Sequence, residues 1–471
     1  MNEPLVIRDA AMRPVGELLR GPAPTCASDR PVADAARLMT ESRTRYVLVP
    51  LGNSDVGDGR FGILTEGDLR RRVVGAGRDA AVPVAQVMSV PAHTVSASTL
   101  GADALLDMLA HGVRRLPVLS ETGRLLGVVE DTDLLANATR GGFLLRAEIA
   151  RADDAAALAD ATARIPALVA GLSRARIAAL DVSAILSVVV EATVARAVEL
   201  VGAENGCGAA WLGLGSVARR EAVLSSDVDS ATVLTADSGP VDQSLARAAR
   251  AHALLSDCGL RSDDKGALAS RPRFARTLTD WHSAVDGWLA DPYSDQALVM
   301  LGMLVDSRVV HGSGDLDLAA HTADALRARP EVLALLLREA VEEKARIKRR
   351  IVSRRTEPVD VKSHGLTPIV NIARWAGTAA GLAAASTPTR LRVAVERGLL
   401  SADDGRVLNE TFDVLTQIRL RHQGEQVERG EQPDDVVDPD TLSPLQRSLL
   451  SGAVREIAGV QRTLAYAGPP S

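Results

Sequence analysis

Gly215-Ser216-Val217-Ala218-Arg219-Arg220-Glu221, continued by Ala222-Val223-Leu224-Ser225-Ser226-Asp227-Val228-Asp229, is the stretch on which the reading of this chain turns. The apolar run before it, residues 209–214, reads as a short buried strand. Residues 217–224 read as a helix, and 225–234 as a second strand. On a strand, residues i and i+2 share a face, so Asp227 and Asp229 project together. Two ionised carboxylates that close repel unless a cation sits between them, which marks the pair as candidate metal ligands. Gly215-Ser216 at the strand-to-helix junction would let backbone N–H groups approach a phosphate. The bland alternative for the two aspartates is a polar turn before a strand.

Outward from this segment, the N-terminal part contains an internal repeat. Val47-Leu48-Val49-Pro50 precedes a polar loop and Phe61-Gly62-Ile63-Leu64-Thr65-Glu66-Gly67-Asp68. Leu116-Pro117-Val118-Leu119 precedes a turn and Leu125-Leu126-Gly127-Val128-Val129-Glu130-Asp131-Thr132-Asp133. Each copy reads as helix, strand, turn, strand, helix, and units so small should pack as a pair. Residues 140–200 are Ala-, Leu- and Arg-rich with helical periodicity. Beyond about residue 320, long amphipathic stretches with few breakers predict a helical bundle. Within it, Lys362-Ser363-His364-Gly365 combines a cation, an imidazole and a flexible glycine, suited to the edge of a site. Lys362, His364, Arg374, Arg390, Arg419 and His422 are candidates for substrate contacts or for hydrogen bonds between helices. Lys265 and Arg271 read as solvated loop charges, and the basic run over residues 344–355 as a solvated helix face with i,i+4 support.

Composition removes several functional classes. The 471 residues are 46% hydrophobic and 24% charged, a folded rather than disordered balance. A net charge of −6 and only 2% aromatic residues disfavour a dedicated nucleic-acid or anionic-membrane binder. Cys26, Cys207 and Cys258 are odd in number and widely spaced, so neither a disulfide framework nor a CxxC zinc site is expected. With no uninterrupted apolar run of 18 residues and no basic, apolar leader, a cytoplasmic location is expected.

Three resemblances sharpen this reading. The repeat over about residues 8–138 resembles a tandem CBS-domain pair. The resemblance implies an adenine nucleotide whose ribose is held by the aspartate of a Thr/Ser-x-x-Asp motif, together with homodimerisation through the pair. Thr65 and Asp68 keep that motif; the second copy has Glu130 and Asp133. Asp68 and Asp133 also read as helix N-caps. The segment from Gly215 to Asp229 resembles the active-site motif of the nucleotidyltransferase superfamily, closest to PII-protein uridylyltransferases and glutamine synthetase adenylyltransferases. That resemblance implies a nucleoside triphosphate whose phosphates meet Gly215 and Ser216, and Mg²⁺ (or Mn²⁺) on Asp227 and Asp229. A third carboxylate on a later strand is assigned to Asp306, as metal ligand and catalytic group; a salt bridge from Asp306 to Arg308 is the alternative. Arg219 is expected either to steady triphosphate charge or to pair with Glu221. The segments around 359–374, 387–391, 418–423, 442–447 and 460–461 resemble the helical substrate-binding domain that follows this transferase in bacterial CBS-pair fusions.

The expected architecture is an α+β multidomain chain: CBS pair (8–138), helical linker (139–200), a nucleotidyltransferase-type α/β domain with a mixed sheet (201–318), and a C-terminal helical bundle (319–466). The expected activity is Mg²⁺-dependent uridylyl- or adenylyl-transfer to a protein or other acceptor, under adenine-nucleotide control. A catalytically silent nucleotide-sensing scaffold and a small-molecule nucleotidyltransferase are the competing classes.

Overall fold

The computed structural model describes residues 14–19, 21–51, 60–99, 101–134, 140–202, 209–263, 266–312, 316–342, 345 and 357–467. Cys207, Lys265 and nearly all of the basic run over 344–355 lie outside the described residues. The chain divides into two compact units, Met1–Phe143 and Leu144–Ser471.

In the first unit the repeat folds as read. In the first copy, helix Val32–Glu41 leads to β1 (Tyr46–Pro50) and antiparallel β2 (Phe61–Thr65), closed by the short helix Glu66–Asp68. In the second, helix Gly101–His111 leads to β4 (Arg115–Leu119) and antiparallel β5 (Leu125–Glu130), with β3 (Val95–Ser96) parallel on the far edge of β4. Val47, Val49 and Leu64 are buried in one core, and Leu116, Val118 and Val129 in the other. Gly62 and Gly127 repeat a steric requirement. A Cβ at Gly62 would meet Met88 Sδ at 2.7 Å, and one at Gly127 the Gly21 carbonyl at 2.9 Å.

The second unit is built on a mixed sheet. β6 (Ala210–Gly213) pairs antiparallel with β7 (Ser230–Leu234) and β9 (Arg308–His311), and β8 (Ala275–Thr277) lies parallel on β7. Every residue of β6 and β7 is buried. Helix Ala179–Gly202, with 14 buried residues, packs along this sheet and against the short apolar helices Ala155–Thr162 and Ile165–Arg174. The stretch Ala155–Arg174 has the length and mean hydropathy, 1.3, of a membrane span, which the sequence reading did not anticipate. A turn at Ala163-Arg164 divides it, and Leu158, Ala161, Ile165, Val169 and Leu172 are buried inside the unit. A single hydrophobic core runs from Ala210 to Leu464, through Trp281, Leu301, Trp375, Leu415 and Ile457. From Leu144 onward, the segments expected as linker, transferase and bundle lie in one compact unit.

Two elements differ from expectation. The helix predicted over 217–224 is only Gly215–Ala218, because the chain turns at Arg220 with φ +61°. The strand predicted over 225–234 begins at Ser230. Asp227 and Asp229 precede it, in a stretch whose Val228 makes an isolated parallel bridge to Ser262.

Candidate functional site

Gly215 has φ +60°, a left-handed conformation that favours glycine. Its backbone also lies against Asp229, since a Cβ there would stand 2.6 Å from Asp229 Oδ2. The Leu214 N–H donates to the Asp229 carbonyl at 3.0 Å, tying the end of β6 to the start of β7. Ser216 Oγ reaches Ser226 Oγ at 3.5 Å, and the Val223 N–H donates to Ser226 Oγ at 2.9 Å. The glycine-serine turn and the carboxylate pair thus share one small volume. Val228, between the two aspartates, is buried, while Asp227 and Asp229 are each partly exposed.

Burial raises the Asp229 carboxyl to about 7, with the charges of Asp263 and Asp227 pushing the same way against Lys362 and Arg219. Asp263 is therefore the carboxylate with the strongest hold on Asp229, and sequence reading missed it. It follows Ser262, the partner of Val228, and accepts the Ala267 N–H at 2.7 Å. His252 braces the same corner, with Nε2 2.8 Å from Ser230 Oγ and Nδ1 3.0 Å from Ser262 Oγ. Burial lowers its pKa to about 4, so it is neutral at physiological pH.

Asp306 departs from its expected place. It ends helix Ala297–Val305 rather than lying on a strand, and it is wholly buried. Oδ2 accepts from Arg219 Nη1 (2.7 Å) and from Arg374 Nε and Nη2 (3.0 and 2.8 Å). Arg390 Nη1 lies 2.5 Å from Oδ1, an ion contact whose angle leaves Oδ1 without a hydrogen bond among the described residues. Burial alone would raise the Asp306 pKa. The guanidinium groups of Arg374, Arg390 and Arg219 outweigh it and hold the carboxyl well below its ordinary range. Among the described residues no three His, Cys, Asp or Glu side chains are grouped to hold a metal. The Asp306 carboxylate, expected as a third metal ligand, is instead taken up by three guanidinium groups. Arg219 is correspondingly occupied, donating to Glu221 at 2.8 Å as well as to Asp306. Of its two expected roles, the structure shows the pairing with Glu221. Glu221 in turn accepts the Thr387 N–H at 2.6 Å.

Most of the C-terminal candidates are also inter-element contacts. Arg374 and Arg390 serve Asp306. Arg419 makes a bidentate pair with Asp435 (2.6 and 2.7 Å), and His422 faces Asp434 at 3.1 Å. Lys362 differs: it is exposed, and its charge acts on Asp229.

In the first unit, Thr65 and Asp68 form a capping box. Thr65 Oγ1 donates to Asp68 Oδ2 at 2.7 Å, and the Thr65 N–H donates to the same oxygen at 3.0 Å. Asp68 is buried, with Arg71 and Arg72 at 3.5 and 3.6 Å from Oδ1. Asp133 accepts the Glu130 N–H at 2.9 Å, the same cap without the hydroxyl.

Comparison with known proteins matches this division. Residues 15–75 and 84–139 match the CBS domain, 163–295 match "Putative nucleotidyltransferase DUF294", and 330–467 match "Putative nucleotidyltransferase substrate binding domain". The chain belongs to the family that joins a CBS pair to this nucleotidyltransferase and its C-terminal substrate-binding domain. It is similar to the uncharacterized protein MK0525 of Methanopyrus kandleri, 31% identical over 26% of this chain and 60% of that protein. CBS domain-containing protein YhcV of Bacillus subtilis is 30% identical over 24% of this chain and 76% of its own length. The chain thus spans less than two thirds of the first of these relatives. Among solved structures, a signal-transduction protein with CBS domains from Burkholderia ambifaria is 31% identical, with TM-score 0.22 over 24% of this chain and 80% of that one. CBS domain protein PAE2072 from Pyrobaculum aerophilum, complexed with AMP, is 21% identical, with TM-score 0.24 over 27% and 96%.

Proposed function

We propose that this CBS-pair nucleotidyltransferase moves a nucleotidyl group from a Mg²⁺- or Mn²⁺-bound nucleoside triphosphate to a protein acceptor, as PII-protein uridylyltransferases do. The reading includes control by an adenine nucleotide at Thr65, Asp68 and Asp133, and pairing of two copies through the CBS domains. The observation that carries it is Gly215 packed against the Asp229 carboxylate with Asp227 one residue beyond Val228. That juxtaposition brings phosphate-facing backbone and hard oxygen donors into one place.

Asp227 and Asp229 are the residues that would hold the metal. The donor set fits: Mg²⁺ is commonly held by one or two carboxylates, completing its shell with water and substrate phosphates. A buried Asp229 with two neighbouring carboxylates carries an excess of negative charge that a divalent cation offsets. When bound, the metal would neutralise charge on the triphosphate and on the departing pyrophosphate. The chain's own part is positioning. Gly215 and Ser216 line the phosphate side, and the bond network of Ser226, His252 and Ser262 keeps the two carboxylates in register. In the transfer, an acceptor heteroatom bonds to the α-phosphorus, the α–β bridging oxygen leaves with pyrophosphate, and the acceptor's proton is lost to water.

The test is incubation of the full chain with α-labelled ATP or UTP, Mg²⁺ and a bacterial lysate, beside Asp227→Asn. Label on an acceptor with wild type alone supports the reading. Equal labelling by the variant overturns the assignment of the site.

A further inference from the structure

Lys362 opens the helical turn Lys362–Leu366, and the backbone before it is anchored to the carboxylate loop. β10 (Val359–Asp360) pairs with β11 (Val436–Val437), and the Val361 N–H donates to the Asp435 carbonyl at 2.9 Å. The Asp435 carboxylate accepts from Ser225 Oγ (2.7 Å), from both Arg419 donors and from Gln423 Nε2 (2.8 Å). Arg261 Nη2 bonds the carbonyls of Ser225 and Pro433, at 2.9 and 3.1 Å. Ser225 lies two residues before Asp227. The 433–437 segment is therefore bolted to the loop that presents the carboxylate pair, and it carries Lys362 to that loop. Asp360 then fixes the start of the turn, accepting the Ser363 N–H and Oγ–H at 2.8 and 2.7 Å.

The other cations beside the pair are already engaged. Arg219 is buried between Glu221 and Asp306, and Arg261 spends donors on two carbonyls while standing 3.9 Å from Asp227. Lys362 is exposed and makes no ion pair within 4 Å and no side-chain hydrogen bond among the described residues. Its three donors are thus unengaged among the described residues, and its charge acts on Asp229. The residue type matters, because an ammonium on a flexible stem is a compact charge that can follow a phosphate chain, whereas guanidinium groups prefer fixed planar partners.

We propose that Lys362, supplied by the C-terminal helical segment, is a triphosphate-binding residue of the Asp227–Asp229 site. This rests on the nucleotidyltransferase reading above and adds a member of the site from beyond the sheet. The substrate-binding segment then holds part of the nucleotide as well as bordering the acceptor.

The experiment is calorimetric titration of the full chain with inorganic triphosphate and Mg²⁺, a probe without base or ribose. Lys362→Met is expected to weaken Mg²⁺-triphosphate binding about tenfold or more, and Lys362→Arg, which keeps the charge but not the compact flexible head, to recover only part of it. Mg²⁺ alone should bind Lys362→Met no more weakly than wild type, since a competing cation has been removed from Asp229. Asp227→Asn is the control, and it should lose the Mg²⁺-dependent binding. If Lys362→Met binds Mg²⁺-triphosphate as wild type does while Asp227→Asn fails, Lys362 is outside the site and the transferase reading stands. If wild type itself does not bind Mg²⁺-triphosphate, the reading and the proposal both fall.

Discussion

Gly215 and Asp229 occupy each other's space: a Cβ on the glycine would stand 2.6 Å from the aspartate's Oδ2. The contact joins residues 14 positions apart and makes the glycine's absent side chain part of the carboxylate's geometry. Gly215→Ala must pay for a left-handed backbone, about 1 kcal/mol, and must also move Asp229. The expected result is a modest fall in thermal midpoint with a transfer rate lower by about 10²-fold, since misplacement near 1 Å costs that much. Measuring the midpoint and the rate on the same preparation separates the two effects.

Asp227→Asn should leave the fold intact and abolish transfer. Loss of one carboxylate's share of charge stabilisation is expected to cost on the order of 10³-fold or more in rate. A circular dichroism spectrum and thermal midpoint unchanged from wild type, with no labelled acceptor, is the predicted pair of readings.

Asp306→Asn should do the reverse of a ligand mutation. Removing the carboxylate leaves Arg219, Arg374 and Arg390 facing one another in the interior, a disruption of about 3–5 kcal/mol for a broken buried pair. A large drop in urea midpoint is expected, with Mg²⁺ affinity of the folded protein unchanged. Weakened Mg²⁺ binding at full stability would restore Asp306 to the metal set.

The pH dependence carries a defined sign. Asp229, at about 7 in the fold against an ordinary 3.8, favours the folded state fully below about pH 4. That contribution is lost as pH rises through 7. His252, lowered to about 4 from 6.5, works oppositely, adding stability as pH rises over 4–6.5. Comparing wild type with Asp229→Asn isolates the first effect: the midpoint difference should move against wild type between about pH 4 and 7. Mg²⁺ should restore it, and more strongly at pH 8 than at pH 6, because protons and metal compete for the carboxylate.

Asp68→Ala should be read in two ways in the fragment of residues 1–143, which forms a compact unit. Loss of the capping box costs about 1 kcal/mol without ligand. If an adenine nucleotide binds there, AMP at about 100 times its dissociation constant should stabilise wild type by about 2.7 kcal/mol. Most of that gain should vanish in the variant, and less of it in Asp133→Ala.

What was legible in the sequence was local. Gly215, Ser216, Asp227 and Asp229 lie within 15 residues, so the glycine-serine turn and the carboxylate pair could be read together with no knowledge of the rest of the chain. The repeat was legible because its two copies carry the same steric demand at Gly62 and Gly127. Asp306 was not, because its arginines come from positions 219, 374 and 390, and no local pattern announces that convergence. Asp263 was hidden for a related reason. Its importance comes from the pairing of Ser262 with Val228, and residues 261–266 have no periodicity to reveal it. The helix expected after Ser216 failed on backbone chemistry, since nothing in the apolar spacing of 217–224 announces the left-handed turn at Arg220.

The ion cluster around Asp306 also sets an order of events for a chain being synthesised. At about 5–20 residues per second, Asp306 leaves the ribosome's peptidyl-transfer site roughly 4–17 s before Arg390 has been added. During that interval its carboxylate lacks Arg390 throughout and Arg374 for most of the time, and Trp281 and Leu301 lack the helices that complete their core. The nascent nucleotidyltransferase segment thus leaves apolar surface uncovered until its C-terminal half arrives. A gene trimmed at residue 318 would make that transient state permanent, yielding insoluble protein rather than a minimal enzyme.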